Sequence, residues 1–584
     1  MGVFHPAVGL PAVASGVVNQ HVLHAYLDAT VVDHVYCAHI RAWSKQHGAE
    51  VDLYFSDQGF WTDATDTPAS TYFDARLTQP LVWSRRVQGV RFGGESEFRS
   101  GSMEIDFTDR AYEFDGVTYT LRQFLANFKV DGRQITVKVV PAGYSYADGL
   151  TLYNATAEDW TSTSGGTIQV ILRGSAWRLN VPVQPSTYAG TGGLEGDDGL
   201  TGKLKPVCFG QVFNIPANMI LAGELLISVH TDVDGNGASI QAIDKVRVGG
   251  VELIRANSGD GAGNFATVAL LRAATAGSGG SAIEPGEFAT CLAEGYVRLG
   301  STPGAAVTLD VKGHKPSTYL TLPGDILQAV ATDYGAEFST DDLDIGSFAT
   351  LNAARPYTVG RYIGPDSELT VAAMFNEIMA SLEGSWGDTA LGRLQVNVTR
   401  LADPDASSVA TIDDADIIEG SFRREPYPSD VRPAVKKITY GYGRNYAPST
   451  QLAAGVSASD KVRLEADYLT AVDTQTLSEF AEAKEIRIDG NLVSSTDVAT
   501  HLADLLDLYD GSAEFGKFRI PSNKAGNLNL GYQLAITLSD EGYDEASAVI
   551  TGIDFDAAAE EAEIAALISS TGIAFDEGFD EGFA

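Results

Sequence analysis

The sequence predicts a mainly β, multidomain protein with α+β portions. Three observations carry this. At 584 residues the chain is too long for one hydrophobic core, and about four domains is the expectation. Glycine is abundant, at 61 residues, beside 23 Tyr and 25 Phe, a mix that suits short strands joined by turns. Apolar residues alternate with polar ones far more often than they recur at helical spacing.

Residues 1–30 scatter Val, Ala and Leu among Pro6, Gly9, Pro11 and Gly16, which reads as an arm. A β-rich domain is expected over 31–188, with strands at Val31–Tyr36, Val51–Phe55, Ser102–Phe107 and Gln134–Val140. Leu121, Phe124, Leu125 and Phe128 share a face and predict one short helix there. A glycine-rich linker follows, and a second β domain is expected over 204–313. Within it 257–281, rich in Gly, Ala and Ser, is expected to be a flexible loop. An α+β domain is expected over 314–424. One helix there starts near Pro323 and carries Ile326, Leu327 and Val330. A second runs 370–382, where Val371, Met374, Phe375, Ile378, Met379 and Leu382 form one stripe capped by Thr370. The strand Arg393–Thr399 follows. The region 425–560 is expected to be β-rich with one helix at Val498–Tyr509, and 561–584 to be an acidic tail. No Lys or Arg follows Lys524, whereas 13 acidic residues do.

The balance of 40 basic against 77 acidic residues gives a net charge of −37. Nucleic-acid binders need Lys and Arg to displace phosphate counterions, so stable DNA or RNA binding is not expected. Cys37, Cys208 and Cys291 lie far apart and form neither a CxxC pair nor a disulfide framework, which fits synthesis in a reducing compartment. The first basic residue is Arg41, so no secretory signal is expected. No apolar run reaches the ~20 residues that span a bilayer.

Six of the nine histidines fall in the first 47 residues. His34, Cys37 and His39 are close in sequence, but on a strand His34 points away from the other two, so metal binding is not expected. Asp232, Asp234 and Asn236 with Gly237 match the start of a calcium loop, yet position twelve is Ile243, where a bidentate Glu belongs. They are metal candidates set against an ordinary hairpin turn between 225–230 and 240–248. Gly196–Lys203 superficially resembles a phosphate loop, but Asp197 stands where Gly is required and Leu204 follows Lys203. No catalytic motif is found and no cofactor is expected. The repeat Phe575-Asp576-Glu577-Gly578-Phe579-Asp580-Glu581-Gly582-Phe583 sets three rings four residues apart, and Phe575, Phe579 and Phe583 are candidate partner-docking residues.

A series of short signatures then runs in order along the chain. It comprises Pro182-Val183-Gln184-Pro185, Tyr188-Ala189-Gly190, Leu194-Glu195-Gly196, Lys205-Pro206 with Gly210-Gln211-Val212 and Asn214-Ile215, and Gly295–Ser301 with Val307–Val311. Phe515–Pro521, Leu528 with Leu530-Gly531, and Val549–Asp554 complete it. The series resembles tail-tip (baseplate) hub proteins of long-tailed bacteriophages and related prophages, over about residues 30–556. The resemblance implies a structural virion protein, not an enzyme, whose β-barrel or β-sandwich tube-like domains form a ring. It implies a homotrimer that joins the tail tube to the distal tip and contacts the distal tail ring protein, the tape-measure protein and tip or fibre proteins. DNA would pass through without stable binding. The location implied is the virion tail, assembled in the host bacterial cytoplasm. Alternatives are a receptor- or carbohydrate-binding tip protein, which Gly- and aromatic-rich loops such as Gln58-Gly59-Phe60-Trp61 permit although such aromatics more often fill a β core, and a tail-associated cell-wall hydrolase.

Overall fold

The computed structural model describes residues 33–569 except 88–93, 109, 164, 335–337, 401–407, 426–433, 477, 479 and 512. The arm at 1–30 and the three tail phenylalanines lie outside the described residues.

The fold is mostly strand, in several sheets with helices packed on them. The largest sheet begins at Ala49–Ser56 and passes through His34–Ser44, Gln134–Pro141, Leu150–Ser162, Thr167–Arg173 and Gly94–Asp106 to Leu77–Val87, all antiparallel. Tyr72–Ala75 pairs in parallel with the first of these strands and runs through Arg76 into Leu77–Val87, so the sheet curls back toward its start. Arg76 makes the turn. Its amide donates to Ser56, its carbonyl accepts from Asp106, and its guanidinium reaches the carbonyls of Asp106, Arg110 and Ala111. The inward face follows strand alternation: Tyr36, Ala38, Ile40 and Ala42 are buried, and Arg41 and Trp43 are exposed. The helix Leu121–Asn127 adds Phe124, which packs against Phe55, Phe107 and Trp160.

The same sheet continues into the far end of the chain. Val82–Arg86 pairs with Gly552–Asp556, and the strand Tyr543–Asp556 passes the sheet on to Glu561–Ile568 and Glu514–Pro521. One core therefore holds Leu81 and Trp83 together with Ile520, Ile536, Ile553 and Ile564. Two expectations need correction. Residues 561–568, expected to open an acidic tail, form a strand whose Ile564, Ala566 and Ile568 are buried. The region expected at 425–560 divides between two cores. Its first half forms a three-stranded sheet, Leu469–Thr474, Val435–Tyr442 and Lys484–Asp489, covered by the helix Ser495–Leu508. Its second half belongs to the large sheet. Alternation reveals a strand's faces but not its partner, so neither pairing was visible in the sequence.

Helices Pro323–Asp333, Ile345–Ala354 and Val371–Ser381 build a second core with Trp386, Leu394 and Val396 and with that three-stranded sheet. Thr370 caps the third helix as expected, accepting from Ala373. Between these bodies lies a β-sandwich of two five-stranded sheets. One contains Ile240–Val248, Val307–His314 and Val207–Pro216, the other Leu226–Ser228, Tyr296–Leu299 and Glu287–Cys291, and Val212, Ile227, Val297 and Leu309 meet between them. The outer face of the second sheet is covered by the linker residue Tyr188 and by the helix Val268–Ala273. That helix corrects the flexible loop expected at 257–281: Thr267 caps it, and Val268 and Leu271 are buried. An i, i+3 apolar pair among small residues was too short a signal to read as a helix.

Strand Val207–Pro216 belongs to both neighbours. Val207–Gly210 pairs with Gly360–Ile363 of the helical body, and Gln211–Pro216 with Thr308–Lys312 of the sandwich. The changeover falls at Gly210, whose φ is +58°.

Candidate functional site

The candidate calcium loop is a tight turn. Gly235 and Asn236 donate their amides to Asp232, to its carbonyl and its Oδ1, and the amide of Asp232 donates to the carbonyl of Asn236. A Thr231–Gly237 bridge closes it. The hairpin expected to flank it is corrected: Leu226–Ser228 and Ile240–Val248 lie in different sheets, so the turn carries the chain across the sandwich. Among the described residues no three His, Cys, Asp or Glu side chains gather as metal ligands. His39 bonds Asp52 at 2.8 Å on the surface, while Cys37 is buried beside Phe73, Val140 and Tyr146, and burial pushes its thiol pKa up. The Gly196–Lys203 loop is likewise occupied in folding. The amide of Asp197 donates to the carbonyl of Ile220, its carboxylate accepts from the amide of Ala222, and Lys203 pairs with Asp366 at 3.1 Å. The neighbouring Lys205, only 5% exposed, donates to Glu195 and to the carbonyl of Gly235, tying linker to turn.

Sequence reading missed two histidine constellations. Ser44, His47 and Asp115 fall in the order of a hydrolytic triad, with Ser44 Oγ 2.9 Å from His47 Nδ1 and His47 Nε2 3.1 Å from Asp115 Oδ2. Catalytic chemistry needs an accessible hydroxyl, however, and Ser44 is fully buried, with its Oγ also accepting from Asn127 Nδ2 and the His47 amide. The trio ties the first β-turn to the Tyr112–Tyr119 hairpin. The spacing Ser-x-x-His was the only sequence signal, and it is common to polar turns.

The second constellation joins the sandwich to the helical body. His230 is fully buried, and its Nδ1 accepts from the Cys208 amide at 3.1 Å. That bond fixes the tautomer: Nε2 carries the proton and donates to His314 Nδ1 at 2.9 Å, leaving the His314 proton on Nε2. The Tyr334 hydroxyl, at the C-terminal end of helix Pro323–Asp333, stands 3.2 Å from His230 Nε2 and 3.4 Å from His314 Nδ1. Phe209 closes the group edge-on to both rings. Burial holds both histidines neutral. The pKa of His230 lies well below its usual value, pushed further by His314, and that of His314 is lowered to about 4. In the unfolded chain both return to the ordinary range near 6.5, so acid favours unfolding: stability is full above about pH 6.5 and is lost as pH falls toward 4. His314 alone is expected to cost about 3 kcal/mol across that window, at 1.36 kcal/mol per pKa unit. Calorimetry at intervals from pH 7 to pH 4 checks this, and an unchanged Tm would refute it.

No family model matches the chain, and no curated protein does. Among solved structures, matches include the 43 kDa tail protein of prophage MuSo2 from Shewanella oneidensis, at 11% identity over 93% of this chain and 100% of that one, TM-score 0.34. A tail protein from Neisseria meningitidis MC58 matches at 9% identity over 92% and 98%, TM-score 0.34. A chain from the virion of a native gene transfer agent particle matches at 13% identity over 64% and 86%, TM-score 0.36. TM-scores of this size fall short of a shared fold, so the functional reading rests on the chain's own residues.

Proposed function

We propose that this protein is a structural component of a bacteriophage or prophage tail and, more finely, the hub of the tail tip, joining the tail tube to the distal tip proteins around the DNA channel. The observation that carries the proposal is the ordered series of strand and turn signatures from Pro182 to Asp554. Several of its members sit where the architecture has no slack. Gln184 donates to the carbonyls of Lys205, Ile363 and Gly364. Gly210 marks the exchange of strand partners, and Phe518, Ile520, Ile550 and Ile553 fill the core shared by the two ends of the chain. The charge of −37 suits a conduit, because an acidic surface repels phosphate and leaves no basic contacts for DNA to displace counterions onto. The proposal takes the chain to be a homotrimer without enzymatic activity, in contact with the distal tail ring and tape-measure proteins.

Electron microscopy of particles labelled with antibody to this chain tests the reading. The expected image has label at the distal end of the tail and a threefold ring there. Label elsewhere, or a sixfold ring, overturns the hub assignment. Purified protein is expected to retain no DNA on a filter at about 0.1 M salt, where basic contacts would still bind it. Retention would sink the conduit argument. A second reading, a receptor- or carbohydrate-binding tip, is favoured by one observation: Trp61 is 67% exposed and its ring lies 5.1 Å from that of the exposed Tyr72. Binding of the purified protein to host cells, lost in Trp61→Ala, would replace the hub by this reading.

A further inference from the structure

The histidine pair lies on the seam between two cores. Cys208 belongs to the sandwich core, whereas Val207, Phe209 and Tyr334 belong to the helical one. His230 stands just past Leu226–Ser228, in one sheet of the sandwich, and His314 ends Val307–His314, in the other. Tyr334 caps a helix of the neighbouring body. Four separate segments of chain thus converge on two imidazoles, and the arrangement holds only while both rings are neutral. A proton on His230 Nδ1 would displace the Cys208 amide. A proton on His314 Nδ1 would set two N–H groups against each other 2.9 Å apart. The remaining nitrogen, His314 Nε2, is buried and has no hydrogen-bond partner among the described residues.

We propose that His230, His314 and Tyr334 form an acid-labile latch: protonation of the histidine pair opens the seam between the sandwich and the C-terminal turn of helix Pro323–Asp333 before the rest of the molecule unfolds. The groups packed directly on the pair carry no charge that would stabilise a protonated ring. Cys208 and Phe209 on strand Val207–Pro216 are neutral, the Cys208 thiol because burial raises its pKa. Tyr334 at the end of helix Pro323–Asp333 is held protonated by burial, and so is Tyr319 past strand Val307–His314. Carboxylates act from outside: Asp333 on His314, and Asp232 and Asp333 on Tyr334. They favour a charged imidazole but make no hydrogen bond to either ring. Once the seam opens water reaches both rings, and each regains an ordinary pKa. The open population then grows about tenfold per pH unit for each histidine below about pH 6.5, and so about a hundredfold per unit for the pair.

Hydrogen exchange of the full chain, read by mass spectrometry at pH 7 and pH 4.5 and corrected for the intrinsic rate, tests the latch. Expected is a rise of at least a hundredfold in peptides covering 205–215, 228–234 and 326–334, with Glu514–Pro521 and Glu561–Ile568 remaining at least tenfold better protected at both pH values. Equal protection at the seam and in those last two strands at pH 4.5 would mean global unfolding and would overturn the proposal, as would no rise at the seam. His501 is also buried, with its pKa lowered to about 3, but it sits on the separate helix Ser495–Leu508. The double variant His230→Gln/His314→Gln separates the two: the rise at the seam is expected to vanish while any change at 495–508 persists. If that variant fails to fold, exchange of the wild-type imidazole C2 hydrogens decides. Expected is an approach of His230 and His314, on acidification, to the rate of a free imidazole at the same pH; rates that stay those of buried rings overturn the latch.

Discussion

Gly210→Ala is expected to destabilise the junction between sandwich and helical body by about 3 kcal/mol, the sum of about 1–2 for a left-handed alanine and about 1–3 for overpacking. The position allows no relief. A Cβ on Gly210 would lie 1.8 Å from the carbonyl oxygen of Val359, and one on the facing Gly360 would lie 1.7 Å from that of Gln211. Both obstacles are backbone atoms in paired strands, so no rotamer can move them aside. The two glycines let one strand leave the helical body and enter the sandwich without a loop. Calorimetry of the purified variant checks the effect, and a Tm within a degree of the parent would show that the changeover does not need glycine.

Asp310→Ala is expected to cost about 3–5 kcal/mol, as removal of one partner of a buried ion pair does. Asp310 and Arg247 are 7% and 6% exposed. The carboxylate accepts from both guanidinium ends of Arg247, Nη1 at 2.8 Å, and from the Asn214 amide at 2.8 Å. Burial opposes the charge on Arg247, but the bonds to Asp310 outweigh it and hold its pKa above the usual value. Without the carboxylate the guanidinium is stranded, and Asn214 loses a backbone bond in the strand that links the two bodies. Urea unfolding followed at the sandwich by hydrogen exchange measures the loss. A change below about 0.5 kcal/mol, the range of an ordinary surface substitution, would refute it.

Most individual elements were legible. Leu121–Asn127, Pro323–Asp333, Val371–Ser381 and Ser495–Leu508 stand where apolar spacing put them, because each turns its apolar residues into a core. The helix Ile345–Ala354 was not seen, since its buried Phe348 and Leu351 are too few to set a period. The candidate sites were less legible. The seam pair, His230 and His314, is 84 residues apart, and nothing local marks either residue. The calcium-like spacing at Asp232 and the phosphate-like spacing at Gly196 reflect turn chemistry, in which carboxylates and glycines serve the backbone itself.

Composition and alternation by themselves determined a β-rich, acidic chain of several cores, because strand faces and net charge are properties of neighbouring residues and of sums. Only the tertiary structure decided that Val82–Arg86 lies beside Gly552–Asp556, that 561–568 is a strand, and that Val207–Pro216 serves two bodies at once. Strand pairing is made by backbone groups that every residue carries alike, so the choice of partner is left to packing between segments hundreds of residues apart.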